Sequence, residues 1–319
     1  MHEHLVSIII PTYNRAHLIG ETLDSVLAQS YTHWECIVVD DGSMDGTDEV
    51  LAGYVAKDSR FQYHHRPKDR PKGANACRNY GFELSRGEYV NWFDSDDLML
   101  KEKLTIQIEE LLKSNFDFCV CQVSRFNKNF SSIITQNSSK IYVENVFSSY
   151  LSLDSRWLTP SILWKRKVFD SFELLFNENL KSAQEWEFFC RILNKNDNYT
   201  AVNKVLIHLR SHKESISFDS NKRLREWNYF LARYLIRTNE NINLSTDDDN
   251  YLKHYLVKSF KDFCRMKFYK ESLKSYRIVI MKSEDFSFIS KLSFFLGMCS
   301  YLLFNRGYYF FHIAKKNAT

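Results

Sequence analysis

Nine glycines and four prolines are spread through 319 residues, and no Gly-x-Gly-x-x-Gly or Gly-Lys-Ser/Thr phosphate loop occurs among them. That argues against a dinucleotide fold and against a Walker-type nucleotide site. The seven cysteines, an odd number, stand singly except for Cys119 and Cys121, so no second Cys or His pair at zinc-ligand spacing is present. Phe-Asp-Phe-Cys-Val-Cys-Gln-Val alternates as a strand does, which predicts that both thiols face one way as small core residues. A basic leader and a small-residue cleavage site are also missing: Met-His-Glu-His passes directly into Leu5–Ile10. The expectation is a chain without a secretory signal that stays in the cytoplasm. No membrane-spanning run is expected either, because the apolar stretch from Leu292 to Phe304 is broken by Ser293 and Ser300 and falls short of the ~20 residues a spanning helix needs.

What is present is a 44% hydrophobic composition, enough for one large folded domain with an appendage. The net charge of +4 conceals an asymmetry: residues 250–319 hold 13 Lys and Arg against 4 acids, a surplus of +9, which leaves −5 on residues 1–249.

Over the first 120 residues, apolar runs alternate with helical spacing. Val6–Ile10, Cys36–Val39, Phe61–His64 and Tyr89–Phe93 read as strands. Leu18–Leu27, Thr47–Val55 and Ala74–Leu84 read as helices. This rhythm predicts an α/β fold with a mostly parallel sheet covered by helices, with a nucleotide-binding half at 1–115. Residues 116–218 form a looser second half, with strands at 116–123 and 199–210, a polar stretch at 127–140 and a helix around Glu185–Leu193 that shapes the acceptor pocket. Residues 219–319 read as a helical appendage, with a linker at 239–250.

Three short segments carry the chemistry. Pro11-Thr12-Tyr13-Asn14-Arg15 follows the first strand, where backbone N–H groups can meet an anion or a base edge, although a plain turn is an equal reading. Val39-Asp40-Asp41-Gly42-Ser43 ends the second strand; its adjacent acids repel unless a donor or cation lies between them, and a carboxylate there can accept a uracil imide N–H or ribose hydroxyls. Asp45 is expected to cap the next helix. Asp94-Ser95-Asp96-Asp97 offers an Asp-x-Asp pair of oxygen ligands for Mg²⁺ or Mn²⁺, with Asp97 expected to cap a helix from Leu98. In open α/β sheets ligands sit beyond the carboxyl ends of the strands, so the clusters should face one crevice.

In this order and spacing, these segments resemble the family 2 glycosyltransferases. The likeness takes in Gly73-Ala74-Asn75-Ala76-Cys77-Arg78-Asn79-Tyr80-Gly81, Gln184-Glu185-Trp186-Glu187-Phe188-Phe189-Cys190-Arg191 and Leu209-Arg210-Ser211-His212-Lys213-Glu214-Ser215-Ile216-Ser217, about two thirds of the chain. It implies a GT-A type nucleotide-sugar-binding sandwich and an inverting, metal-dependent transfer from a UDP-sugar. Pro11, Thr12, Tyr13 and Asp41 would surround the uracil with Asp40 behind, and Arg78 would border the nucleotide. Asp94 and Ser95 would lie at the ribose or metal shell, and Asp96 would bind the cation. His212 would close over the metal or diphosphate, and Glu185 would be the catalytic base. Where many relatives carry Asp preceded by an acid, this chain has Glu preceded by Gln184, which lengthens the arm by one methylene.

An inverting transfer needs one carboxylate to take the acceptor hydroxyl's proton, while a cation and donors such as His212 or Arg210 stabilise the departing diphosphate. Trp157 and Trp186 are candidates to stack on acceptor sugars, with core packing the equal alternative. His64, His65 and His208 are taken as structural. The aromatic, basic tail from Phe286 to Phe311 fits either an interfacial helix at the inner face of the membrane, near a lipid-linked acceptor, or a hairpin packed on protein or a second subunit. No nucleic-acid motif accompanies the charge. The competing functional reading is a catalytically silent glycan- or nucleotide-binding module with the same fold.

Overall fold

The computed structural model describes residues 4–113, 115–127, 132–136, 140–211 and 221–316. They form two compact units, Met1–Asp219 and Ser220–Thr319.

The first unit begins with β1 (Val6–Thr12), α1 (Ile19–Leu27), β2 (Trp34–Asp40), α2 (Thr47–Lys57), β3 (Phe61–His65), α3 (Ala74–Leu84) and β4 (Tyr89–Trp92). Every residue of β1 and β2 is buried, as expected of strands covered on both faces. In α1, Ile19, Thr22, Leu23 and Val26 turn inward at spacings of three and four. There follow β5 (Leu98–Met99), α4 (Lys103–Lys113), β6 (Phe118–Phe126), β7 (Ile133–Gln136), α5 (Val146–Leu151), β8 (Ile162–Lys165), α6 (Gln184–Lys195) and β9 (Tyr199–Arg210). The described strands form one sheet in the order β3-β2-β1-β4-β8-β6-β9-β5, with β7 added to β6.

Strands β3, β2, β1 and β4 are parallel, as their rhythm predicts. Beyond them the sheet is mixed. β8 runs antiparallel to both β4 and β6, while β6 and β9 are parallel. The chain reaches β8 from β7 by way of α5 and the tight 3₁₀ turn Thr159–Ser161. Cys119 and Cys121 are buried with the core, and all seven cysteines are free thiols.

Three local expectations change. Asp97 caps no helix, because Leu98–Met99 pairs with Ile207 and His208 of β9 and the helix starts only at Lys103. Part of the polar stretch 127–140 is the hairpin strand β7. The linker at 239–250 ends early, since α8 (Thr246–Arg265) starts inside it behind a capping box of Ser245 and Asp248.

Lys103 is fully buried at the start of α4, where its Nζ donates to Asn91 Oδ1 at 3.0 Å. Burial pulls its pKa down to about 8. The unfolded chain therefore holds this proton through a pH range in which the folded chain has released it, and stability rises with pH there. The cost of burying the cation is full below about pH 8 and fades toward 10.5. Relative to Lys103→Met, the wild-type unfolding free energy should climb by about 3 kcal/mol across that window. Urea titrations of both proteins at pH 7 and above pH 10 measure it; a pH-independent difference would remove the assignment.

The second unit comprises α7 (Lys222–Thr238), α8, α9 (Tyr269–Ser275), a π-helical turn (Tyr276–Met281), α10 (Phe288–Phe304) and α11 (Tyr308–Lys316). Phe230, Phe260, Phe263, Ile280, Phe294 and Phe311 form its core. No helix among the described residues is long and apolar enough to cross a membrane.

Candidate active site

Parallel register sets the site. Thr12 lies opposite Asp40, and Ile9 lies opposite Trp92, with Phe93 N donating to Ile9 O at 2.9 Å. The three segments after β1, β2 and β4 thus leave the sheet along one edge. Two left-handed residues shape the first two turns, Asn14 at φ 51° and Gly42 at φ 92°. The turns are laced together: Asn14 N donates to Ser43 Oγ, Met44 N to Asn14 Oδ1, Arg15 N to Thr47 Oγ1 and Ala16 N to Asp45 Oδ2. Asp45 also accepts from Thr47 N, the first residue of α2, close to the capping role expected of it.

The adjacent acids Asp40 and Asp41 are reconciled by the protein's own donors. Asp40 is fully buried, and its Oδ1 accepts from Gly42 N and Ser43 N, both at 2.6 Å. It builds the turn. Asp41 Oδ1 accepts from Arg66 Nε at 2.5 Å and from Gly73 N at 3.0 Å, at the start of α3. Pro11 and Thr12 are buried beside it, and the Thr12 hydroxyl has no hydrogen-bond partner among the described residues. Tyr13 is partly exposed, with Lys72 Nζ 4.2 Å from its ring centroid.

Helix α3 joins this corner to the acidic one. Arg78 is buried; it donates to Asp94 Oδ1 at 2.9 Å and to Asn75 Oδ1 at 3.3 Å. Its guanidinium is thus oriented by Asp94 and Asn75, while its Nε has no hydrogen-bond partner among the described residues. Ser95 is buried between the acids, and Arg15 Nε stands 4.0 Å from Asp96 Oδ2. Asp97 is buried, with Oδ1 accepting from Arg210 N, while Arg210 Nε donates to the Asp96 carbonyl and its Nη2 to Glu21. Arg210 thus staples the acidic loop to the end of β9.

Glu185 sits in the first turn of α6, after Ala183 at φ 59°. Its Oε1 accepts from Thr159 N at 2.8 Å and from the Thr159 hydroxyl, and Oε2 has no hydrogen bond among the described residues. Burial pushes the Asp94 carboxyl up to about 6, Arg78 opposes this, and the charges of Asp96 and Glu185 add to it. Those last two effects place Asp96 and Glu185 each within electrostatic reach of Asp94. Burial raises Asp97 as well, followed by Asp96 and Asp94.

Asp96 and Glu185 thus both bear on Asp94, and Asp41 is linked to Asp94 through Gly73 and Arg78 along α3. His212 lies outside the described residues. Trp157 and Trp186 are corrected: both are buried, Trp157 among Phe118, Tyr150 and Tyr199, with indole N–H groups donating to the Lys140 and Leu151 carbonyls. They are core, and neither offers a face to an acceptor sugar.

Several supporting residues escape a reading of motifs. Arg66 and Thr159 hold Asp41 and Glu185 from distant segments. Asn75 donates to the Asn177 and Leu180 carbonyls, and Asn79 donates to the Phe176 carbonyl and accepts from Phe176 N. Together they fasten the segment that delivers α6. Their i, i+4 spacing with Arg78 between them was the available signal.

Two nearby carboxylates, Asp94 and Asp96, suit a hard divalent cation that draws its remaining ligands from substrate phosphates and water. Among the described residues, no three His, Cys, Asp or Glu side chains are already grouped around one point.

Comparison with known proteins agrees with this architecture. A family profile described as Glycosyl transferase family 2 matches residues 7–168. An uncharacterized glycosyltransferase of Rickettsia felis is 31% identical over 223 residues, 70% of this chain, but the chain spans only 36% of that relative's length. The Escherichia coli protein WfgD, named a UDP-Glc:alpha-D-GlcNAc-diphosphoundecaprenol beta-1,3-glucosyltransferase, is 36% identical over 129 residues, 40% of this chain and 49% of that one. A crystal structure of S. aureus TarS with UDP-GlcNAc shares the fold, with a TM-score of 0.65 and 20% identity over 93% of this chain and 81% of that one. With half of its length matched and the strand-end carboxylates in place, the chain belongs to glycosyl transferase family 2.

Proposed function

We propose that the chain is an inverting, metal-dependent glycosyltransferase that moves a sugar from a UDP-sugar to a saccharide or lipid-linked saccharide acceptor during surface-polysaccharide synthesis at the inner face of the cell membrane. The observation that carries the reading is Glu185: one carboxylate oxygen is anchored by Thr159 and the side chain lies within electrostatic reach of Asp94. A base must be oriented toward the acceptor hydroxyl, on the side of the anomeric carbon opposite the leaving group. The UDP-Glc in the name of WfgD and the UDP-GlcNAc bound to TarS support a uridine nucleotide here.

In this reading Asp41 accepts the uracil imide N–H, its carboxylate held still by Arg66 and Gly73, while Thr12 and Tyr13 border the ring and Asp40 keeps the turn rigid. Asp94 and Asp96 hold Mn²⁺ or Mg²⁺, which when bound neutralises charge on the departing diphosphate. Glu185 takes the proton from the acceptor hydroxyl as that oxygen attacks the anomeric carbon from the face opposite the diphosphate. His212 is assigned to the diphosphate side.

The test is a thermal-shift titration of the purified chain with UDP and Mn²⁺, followed by UDP release from common UDP-sugars in the presence of saccharide acceptors. A raised melting temperature and released UDP are expected; neither binding nor release would overturn the proposal.

A further inference from the structure

Helix α10 is built inside out for a helix in water. Its buried face carries Ser290, Ser293 and Gly297 beside Phe294 and Met298. Its exposed face carries Phe288, Ile289, Leu292, Phe295, Leu296 and Leu303, with Phe288 79% and Leu303 71% exposed. These recur at i, i+1, i+4, i+7, i+8 and i+15 from Phe288 and so form one stripe along the helix. A soluble helix puts its large apolar residues inward and its small polar ones outward.

The inversion has a local cause. Ser290 Oγ donates to the Ala314 carbonyl of α11, and a side chain at Gly297 would run into the Phe311 ring. Small residues let α11 lie close, and the bulky side chains are left to solvent. After the turn at Asn305, α11 adds Tyr308 and Tyr309, 68% and 71% exposed. An exposed apolar stripe on a folded surface marks an interaction site.

We infer that the exposed stripe of α10, with Tyr308 and Tyr309, is a membrane-surface anchor that beds in the headgroup region of an anionic bilayer with its axis along the surface. Charge selects this occupant. The unit Ser220–Thr319 holds 18 Lys and Arg against 9 Asp and Glu, a net of +9. A second copy docked on the same stripe would bring two such units together against that repulsion, whereas an anionic leaflet is complementary to it. Lys274 and Arg277 are exposed on the segment that packs beside the stripe through the Tyr276–Phe295 contact. Aromatic and aliphatic side chains at the end of a basic unit are the composition of an interfacial helix. The inference goes beyond sugar transfer and does not depend on it.

The experiment is vesicle flotation of the full chain with phosphatidylcholine alone and with added phosphatidylglycerol, at low and high salt, read beside light scattering without lipid. The wild type should be monomeric and should float with the anionic vesicles, less so in high salt. The triple variant Leu292→Ser, Phe295→Ser, Leu303→Ser should lose about tenfold or more of its binding with an unchanged far-UV spectrum. Because a lost fold would mimic this, a second variant, Lys274→Glu with Arg277→Glu, changes two exposed cations and no apolar residue and should weaken binding to anionic vesicles alone. No flotation of the wild type, equal flotation of the triple variant, or a dimer that the triple variant dissociates would each overturn the inference.

Discussion

Replacing Glu185 by Gln is expected to lower the rate of sugar transfer by about 10²–10⁴-fold while leaving UDP binding in the presence of Mn²⁺ unchanged. The amide has the shape of the carboxylate, and its carbonyl oxygen can still accept from Thr159 N and the Thr159 hydroxyl. What is lost is basicity: an amide cannot take the acceptor's proton as the new bond forms. Stability should not fall, because Glu185 is one of the charges that push the Asp94 carboxyl up, and its neutralisation relieves that repulsion. The split between kcat and donor affinity is therefore diagnostic. Single-turnover transfer assays and calorimetric UDP titrations of both proteins measure it, and transfer at the wild-type rate would remove Glu185 from the base role. A loss of UDP affinity in parallel would instead make it part of the donor site.

The parallel half of the fold is legible because periodicity and turn chemistry agree there. Val6–Ile10 and Cys36–Val39 are apolar on both faces, Asp40-Asp41-Gly42-Ser43 supplies a left-handed glycine where the chain turns, and Ala74–Leu84 ends one residue before an extended Ser85. The mixed half is less legible. β8 has four residues and β5 two, too short to show a period, and each is defined by the strand beside it. Asp97 illustrates the failure: an acid before Leu98-Met99-Leu100 looks like a helix cap, yet pairing with β9 turns that piece into an edge strand and recruits Asp97 to Arg210.

The site divides in the same way. The residues proposed to meet the donor lie in short segments at strand ends and could be placed in advance. Those that hold them, Arg66 on Asp41, Thr159 on Glu185 and Asn75 on the 177–180 carbonyls, come from 25 to 105 positions away, and only the closed fold brings them into contact. Trp157 and Trp186 fail for a related reason. An aromatic residue beside a binding segment serves a pocket or a core equally well, and burial decides for the core.

Replacing Asp96 by Asn is expected to weaken Mn²⁺-dependent UDP binding by about tenfold or more, a floor set by the 10–100-fold cost of losing even an outer-shell partner of a metal ligand. Asp96 is the informative position because the two members of the Asp-x-Asp pair differ in their commitments. Asp94 is bound to the buried guanidinium of Arg78 at 2.9 Å, so its removal leaves a buried charge unpaired and mixes a folding defect into any binding result. Asp96 has the looser cationic neighbour, Arg15 at 4.0 Å, and its backbone carbonyl keeps the Arg210 contact whatever the side chain becomes. Asparagine preserves the volume and one oxygen but removes the negative charge that a hard cation selects. Binding of UDP in chelator should be the same in both proteins, because the contacts that hold Asp41 run to Arg66 and Gly73 and not through Asp96. The comparison is made by calorimetry with Mn²⁺ and with chelator, alongside thermal unfolding to confirm an intact fold. An equal enhancement by Mn²⁺ in wild type and variant would show that the cation is held elsewhere, and the transfer chemistry would then need another source of positive charge for the departing diphosphate.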